Sequence, residues 1–147
     1  MPNRHSLESK IVDAVEHRRL ELTRLTQRLV QTPSLSGEED EAAEVISSQM
    51  KSMGFDHVRT DKVGNVLGSI GGVDDEGSLL FNGHMDHVDP GRLEAWDYDP
   101  YGGIIDRGYL HGRGTCDMKG AIASQIYAAA LIKSLGLKHK GDIIVTG

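Results

Sequence analysis

The apolar residues change period at Gly54, and that change most limits what the chain can fold into. Upstream, Leu7, Ile11 and Val15 fall at i, i+4 and i+8, and Leu22, Leu25 and Leu29 keep helical spacing. The spacing predicts a helix over residues 6–31 with one wet face. Thr32-Pro33 ends it, because the residue before a proline disfavours helical backbone. Ser36-Gly37-Glu38-Glu39 has the form of a capping box. In it, Ser36 would accept from the amide of Glu39, and Glu39 would reach back to the amide of Ser36. Ala42, Val45, Ile46, Met50 and Met53 supply the stripe of a second helix, with Gly54 placed to end it. The linker at 32–36 reads first as a plain helix–helix connection, with the lining of a cleft as the alternative.

Downstream lie most of the 18 glycines, between short strand-like segments. Residues 55–61 alternate, and residues 65–70 follow a turn at 62–64. Leu79-Leu80-Phe81 is a continuous apolar run, as in a strand buried on both faces. Residues 103–105 and 109–111 flank Asp106-Arg107-Gly108 and read as a small hairpin. Residues 117–135 are apolar around most of a helical circumference, which predicts a helix buried against a sheet and ended by Gly136. Residues 142–146 form another candidate core strand. The expected class is α/β: a layered sheet with helices on both faces.

A net charge of −6 without a basic cluster argues against a nucleic-acid partner. No apolar run approaches the roughly 20 residues of a membrane span. Residues 1–6 have no apolar stretch behind them and do not read as a secretory signal, and Cys116 has no partner for a disulfide. A cytoplasmic location is therefore expected. The 147 residues fit one domain, and an end so close to a strand reads as a fragment of a longer chain.

Two stretches carry chemistry: Gly83-His84-Met85-Asp86-His87-Val88 and Gly112-Arg113-Gly114-Thr115-Cys116-Asp117-Met118-Lys119-Gly120. His84 and Asp86 are i and i+2, so an extended backbone points them to one face beyond a core strand. Imidazole suits zinc, and a neighbouring carboxylate on its other nitrogen would fix the tautomer. Asp86 is read as that support, or else as a direct ligand; taken alone, the pair reads first as an ordinary post-strand turn. Strand alternation puts His87 on the opposite face, as a non-ligand. His111 lies near enough in sequence to approach the site, whereas His5, His17, His57 and His139 lack supporting neighbours.

The second stretch is not a phosphate loop, since Asp117 stands where glycine is required and would repel a phosphate at a helix start. Asp117 reads either as a helix N-cap or as a carboxylate able to bridge two metal ions. Cys116 is expected to be a small buried residue. Arg113 reads either as a partner for a carboxylate or as a surface residue, and Lys119 as a screen for local negative charge.

The two motifs, with Trp96, Asp99, Pro100 and Tyr101 between them, resemble a known family. It is the zinc-dependent aminoacylase, acetylornithine deacetylase, succinyl-diaminopimelate desuccinylase and glutamate carboxypeptidase family. The resemblance covers essentially the whole chain. It implies that His84 ligates one zinc, that Asp117 bridges two, and that Asp86 is the catalytic acidic residue beside the histidine. It implies hydrolysis of an amide in N-acyl amino acids or small peptides through water activated by a zinc pair, with cobalt or manganese as substitutes. It also implies a glutamate pair, one member the general base, soon after the strand at 142–146, further ligands beyond, and a second domain that forms a homodimer. A chain ending at Gly147 would hold only the N-terminal portion of that catalytic domain, and is expected to be inactive by itself. The competing expectation is a folded binding module that retains part of the site without catalysis.

Overall fold

The computed structural model describes residues 4–74 and 76–147. The opening helix α1 runs Arg4–Val30, and α2 runs Asp40–Ser52. Strands β1 (His57–Thr60), β2 (Val66–Ile70) and β3 (Leu79–Asn82) follow. A short hairpin of β4 (Ile104–Asp106) and β5 (Tyr109–His111) precedes α3 (Gly120–Ser134) and the last strand β6 (Ile143–Thr146).

The main sheet has the order β1-β2-β6-β3. The β1–β2 and β2–β6 pairs are antiparallel, while β3 and β6 are parallel, with Leu79 beside Ile143 and Asn82 beside Thr146. Parallel neighbours need a long crossover, and the chain from residue 83 to residue 142 supplies one. This is the layered α/β fold expected from the interleaved pattern. Its helices gather on one face of the sheet. Val66, Ile70, Ile143 and Val145 point into a core shared with Leu25 and Leu29 of α1, Ala42, Ile46 and Met50 of α2, and Ile122 and Ile126 of α3. The other face, where the sequence also placed helices, carries Leu67, Ser69 and Ile144, all half-buried. Each fully buried isoleucine contributes about 1.5–3 kcal/mol relative to exposure. Among the described residues, no helix is long and apolar enough to cross a membrane.

Four expectations change here. The strand at Leu79–Phe81 is not buried on both faces: β3 is an edge strand in this sheet, and Leu79 and Leu80 are exposed. A continuous apolar run records only that a strand has no wet face, not that both faces are covered within this length of chain. The helix expected over 117–135 begins later, at Gly120, because Asp117 and Met118 have non-helical backbone. The capping box does not form. Gly37 has φ +89°, outside the right-handed helical region, so α2 starts three residues on, with Glu39 as its N-cap. The carboxylate of Glu39 accepts from the amide of Gly37, not of Ser36, at 2.8 Å. Finally, the linker at 32–36 is more than a connection, as its contacts below show.

Candidate metal centre

The site lies just past the C-terminal ends of the parallel strands β3 and β6. There the amide of Gly83 donates to the carbonyl of Thr146 at 3.0 Å, so β3 releases the chain into the His84 stretch at a fixed point. In open α/β sheets this end of the strands is where side chains converge on ligands.

His84 is engaged on both ring nitrogens. Nδ1 meets Asp86 Oδ1 at 2.8 Å, and Nε2 meets Asp117 Oδ1 at 2.9 Å. The two carboxylates, Asp117 first, hold the imidazole above its usual pKa, against a smaller opposing effect of burial. The other oxygen of Asp86, Oδ2, accepts from the hydroxyl of Ser36. That hydroxyl, then His84, keeps the Asp86 carboxyl below the usual carboxylate range, with slight burial opposing. The i, i+2 spacing of His84 and Asp86 therefore does place them on one face.

Asp117 arrives on a different support. Gly112 and Gly114 shape the preceding loop. A Cβ at Gly112 would stand 2.3 Å from Cγ1 of Val30, and Gly114 has φ +78°. Only glycine meets both demands without displacement. The loop is closed by the Arg113 amide on Pro100 O at 2.7 Å and the Lys119 amide on Gly114 O at 2.9 Å. Asp117 thus precedes α3 rather than capping it, with its side chain 88% exposed. Met118 next to it accepts from the amide of His84 through its sulfur, at 3.4 Å, which ties the two stretches together.

Several neighbouring residues take roles other than those expected. Lys119 does not screen surface charge. It is 1% exposed, and its ammonium donates to Leu29 O at 2.8 Å and Thr32 O at 2.7 Å, at the C-terminal end of α1. A cation is favoured there by the unpaired carbonyls, while burial pushes its pKa down to about 8. Cys116 is exposed rather than buried, because it lies in the loop before α3 and not in a helix packed on the sheet. Arg113 stacks over Trp96, 4.9 Å from the ring centroid, and so takes an aromatic partner rather than a carboxylate. His87 is buried and engages Ser34 rather than His84. Its Nε2 accepts from the amide of Ser34 at 2.9 Å, and its own amide donates to Ser34 O at 2.9 Å. His111 packs against Tyr98, with centroids 4.6 Å apart.

The sequence reading missed Ser36 and Ser34. Ser-Gly is itself a turn dipeptide, and that signal argued against a helix starting at residue 37.

The donor set of His84 and Asp117 suits zinc or a similar borderline ion. With Asp86 on Nδ1, the nitrogen left to face an ion is Nε2. Two ligands on one zinc stand about 3–3.5 Å apart, close to the present Nε2–Oδ1 separation. Among the described residues, no group of three or more His, Cys, Asp or Glu side chains is placed to hold a metal ion. The residues present fit as part of a ligand set.

Residues 80–147 match the model of peptidase family M20/M25/M40, the family that the two motifs resemble. The chain is 37% identical over 139 residues to protein YgeY of Escherichia coli K12, covering 93% of this chain and 34% of that protein. It is 38% identical over 113 residues to the succinyl-diaminopimelate desuccinylase of Blochmanniella pennsylvanica, covering 74% and 29%. Among solved structures, the di-peptidase Dug1p of Saccharomyces cerevisiae superposes with a TM-score of 0.81 at 21% identity, covering 94% of this chain and 33% of that one. A Bacillus subtilis protein described as a dinuclear metal binding peptidase of the M20 family superposes with a TM-score of 0.62 at 17% identity, covering 89% and 35%. The desuccinylase is a hydrolase, and the family model is that of a peptidase family, so the resemblance is to hydrolases; the two solved structures, at 21% and 17% identity, show the shared fold. The chain spans about a third of the length of the curated relatives it matches.

Proposed function

We propose that this chain is the N-terminal portion of the catalytic domain of a metal-dependent hydrolase that cleaves an amide bond in N-acyl amino acids or small peptides. The observation that carries this reading is the alignment of Asp86, His84 and Asp117, with contacts of 2.8 and 2.9 Å on the two sides of one imidazole. His84 and Asp117 would hold the metal, Asp117 as the bridge between two ions, zinc or else cobalt or manganese. Bound ions would supply Lewis-acid polarisation of the scissile carbonyl and a more acidic water.

The protein's own groups perform the positioning. Asp86 holds the Nδ1 side of His84, so Nε2 is the face presented outward. The loop at 112–119 fixes the backbone of Asp117 while leaving its carboxylate accessible. Neither His84 nor Asp117 would be free to act as a general base, since both would be committed to ligation. Cleavage thus needs a base supplied from elsewhere in the longer protein, and the chain alone would not turn over. A cytoplasmic homodimer of the longer protein is part of the same reading.

The test is metal content and amide hydrolysis of the full-length gene product. It should hold about two metal ions per chain. Asp117→Ala should lose both metal and activity while retaining its helical circular dichroism. Full metal content and full rate in that variant would sink the proposal.

A further inference from the structure

The hydroxyl of Ser36 has no part in capping α2, because Gly37 turns the chain away from the helical region. It donates instead to Asp86 Oδ2, fifty residues on, while Asp86 Oδ1 takes His84 Nδ1. Both oxygens of Asp86 are therefore committed, one to the linker and one to the imidazole. A carboxylate held at one oxygen only can rotate about its Cβ–Cγ bond and exchange the imidazole for water. Held at both, it fixes the ring that it orients.

The linker is itself anchored so that Ser36 arrives in place. Ser34 is fully buried. Its hydroxyl donates to Met85 O at 2.7 Å, its amide to His87 Nε2, and its carbonyl accepts the His87 amide. Those bonds pair residue 34 with the chain on both sides of Asp86, and two residues later the serine hydroxyl meets the carboxylate.

We propose that Ser36 is a positioning residue of the metal site, acting through Asp86 to hold His84 with Nε2 turned toward a metal ion. The inference rests on the metal-site reading above and adds a residue to it.

Zinc affinity of the full-length protein, measured by competition with a chromophoric chelator, tests the relay. Ser36→Ala should weaken zinc by about tenfold, the lower end of the range for residues that orient a ligand. In an Asp86→Asn background, Ser36→Ala should add nothing, and Ser36→Thr in the parent should restore affinity. An equal loss in both backgrounds, or no loss in the parent, would show a tether without a relay and overturn the proposal. A second readout needs no metal. The His84 Nδ1–H proton, followed by nitrogen-resolved NMR, should exchange with water faster in Ser36→Ala than in the parent. Unchanged exchange overturns the proposal. His84→Ala separates the two ideas. If it binds zinc as the parent does, the metal reading falls, and the exchange of Nδ1–H alone then decides whether Ser36 positions His84.

Discussion

Of the two residues that meet at 2.9 Å, His84 is braced from behind, by Asp86 and through it by Ser36, whereas Asp117 is fixed from below, through its backbone. Behind the Asp117 loop stands Lys119, 1% exposed, while the Asp117 carboxylate is 88% exposed. On the metal-site reading proposed above, the contrast is between two ways to preorganise a ligand. A histidine has one nitrogen to offer, so its ring must be aimed, and hydrogen bonds to the other nitrogen do that. A carboxylate that is to reach two ions needs both oxygens open, so its rigidity has to come from the chain rather than from side-chain partners.

The sharpest way to break this comparison is to remove the open half. Asp117→Ala should abolish metal binding in the full-length protein with little change in unfolding free energy, because its side chain is solvated. A large loss of stability on denaturant titration would show that the carboxylate is a structural partner of His84 instead.

The braced half should behave in the opposite manner. His87→Ala removes the acceptor for the Ser34 amide and opens a buried space, so it should cost about 3 kcal/mol in a denaturant titration. A loss below about 1 kcal/mol would mean that the linker is held by other contacts. Beneath the Asp117 loop, Lys119→Met should cost about 2 kcal/mol, since two carbonyls at the end of α1 lose their donor. It should also speed amide exchange at Gly114–Asp117, which would distinguish it from a mutation that weakens α1 alone.

The smallest effect lies away from the site. Asp56 pairs with Lys133, which with the amide of Gly71 holds its carboxyl below the ordinary 3.8. A carboxyl depressed on folding adds stability above its unfolded pKa and loses it as pH falls through the folded one. Both side chains are about two-fifths exposed, so solvent screening keeps the contribution small. Asp56→Asn should cost about 0.5 kcal/mol at pH 7, and the difference from the parent should vanish in strong acid. An unchanged difference at low pH would assign the effect to packing.

His84, Asp86 and Asp117 were all legible in the sequence, since two motifs in order name them and the two-residue strand period puts the first two on one face. The helix of α1 and the hairpin of β4 and β5 were equally legible, because apolar spacing and turn residues are local properties. The start of α2 was not. A capping box is a local pattern, and it lost to a distant partner when Ser36 met Asp86. Lys119 and Cys116 exchanged their expected environments for the same reason. A residue's burial depends on what the fold brings against it, which sequence spacing does not record.

By itself, then, the chain's sequence determined the order of helices and strands, the identity of the ligand-type side chains and the family they resemble. Only the tertiary structure decided which hydroxyl supports Asp86, that Asp117 stands free of α3, and that β3 lies at the sheet edge. Each of these depends on groups far apart in the chain. Ser36 and Asp86 are separated by fifty residues and Lys119 and Leu29 by ninety. A buried polar group such as the Lys119 ammonium must find a partner wherever the fold supplies one.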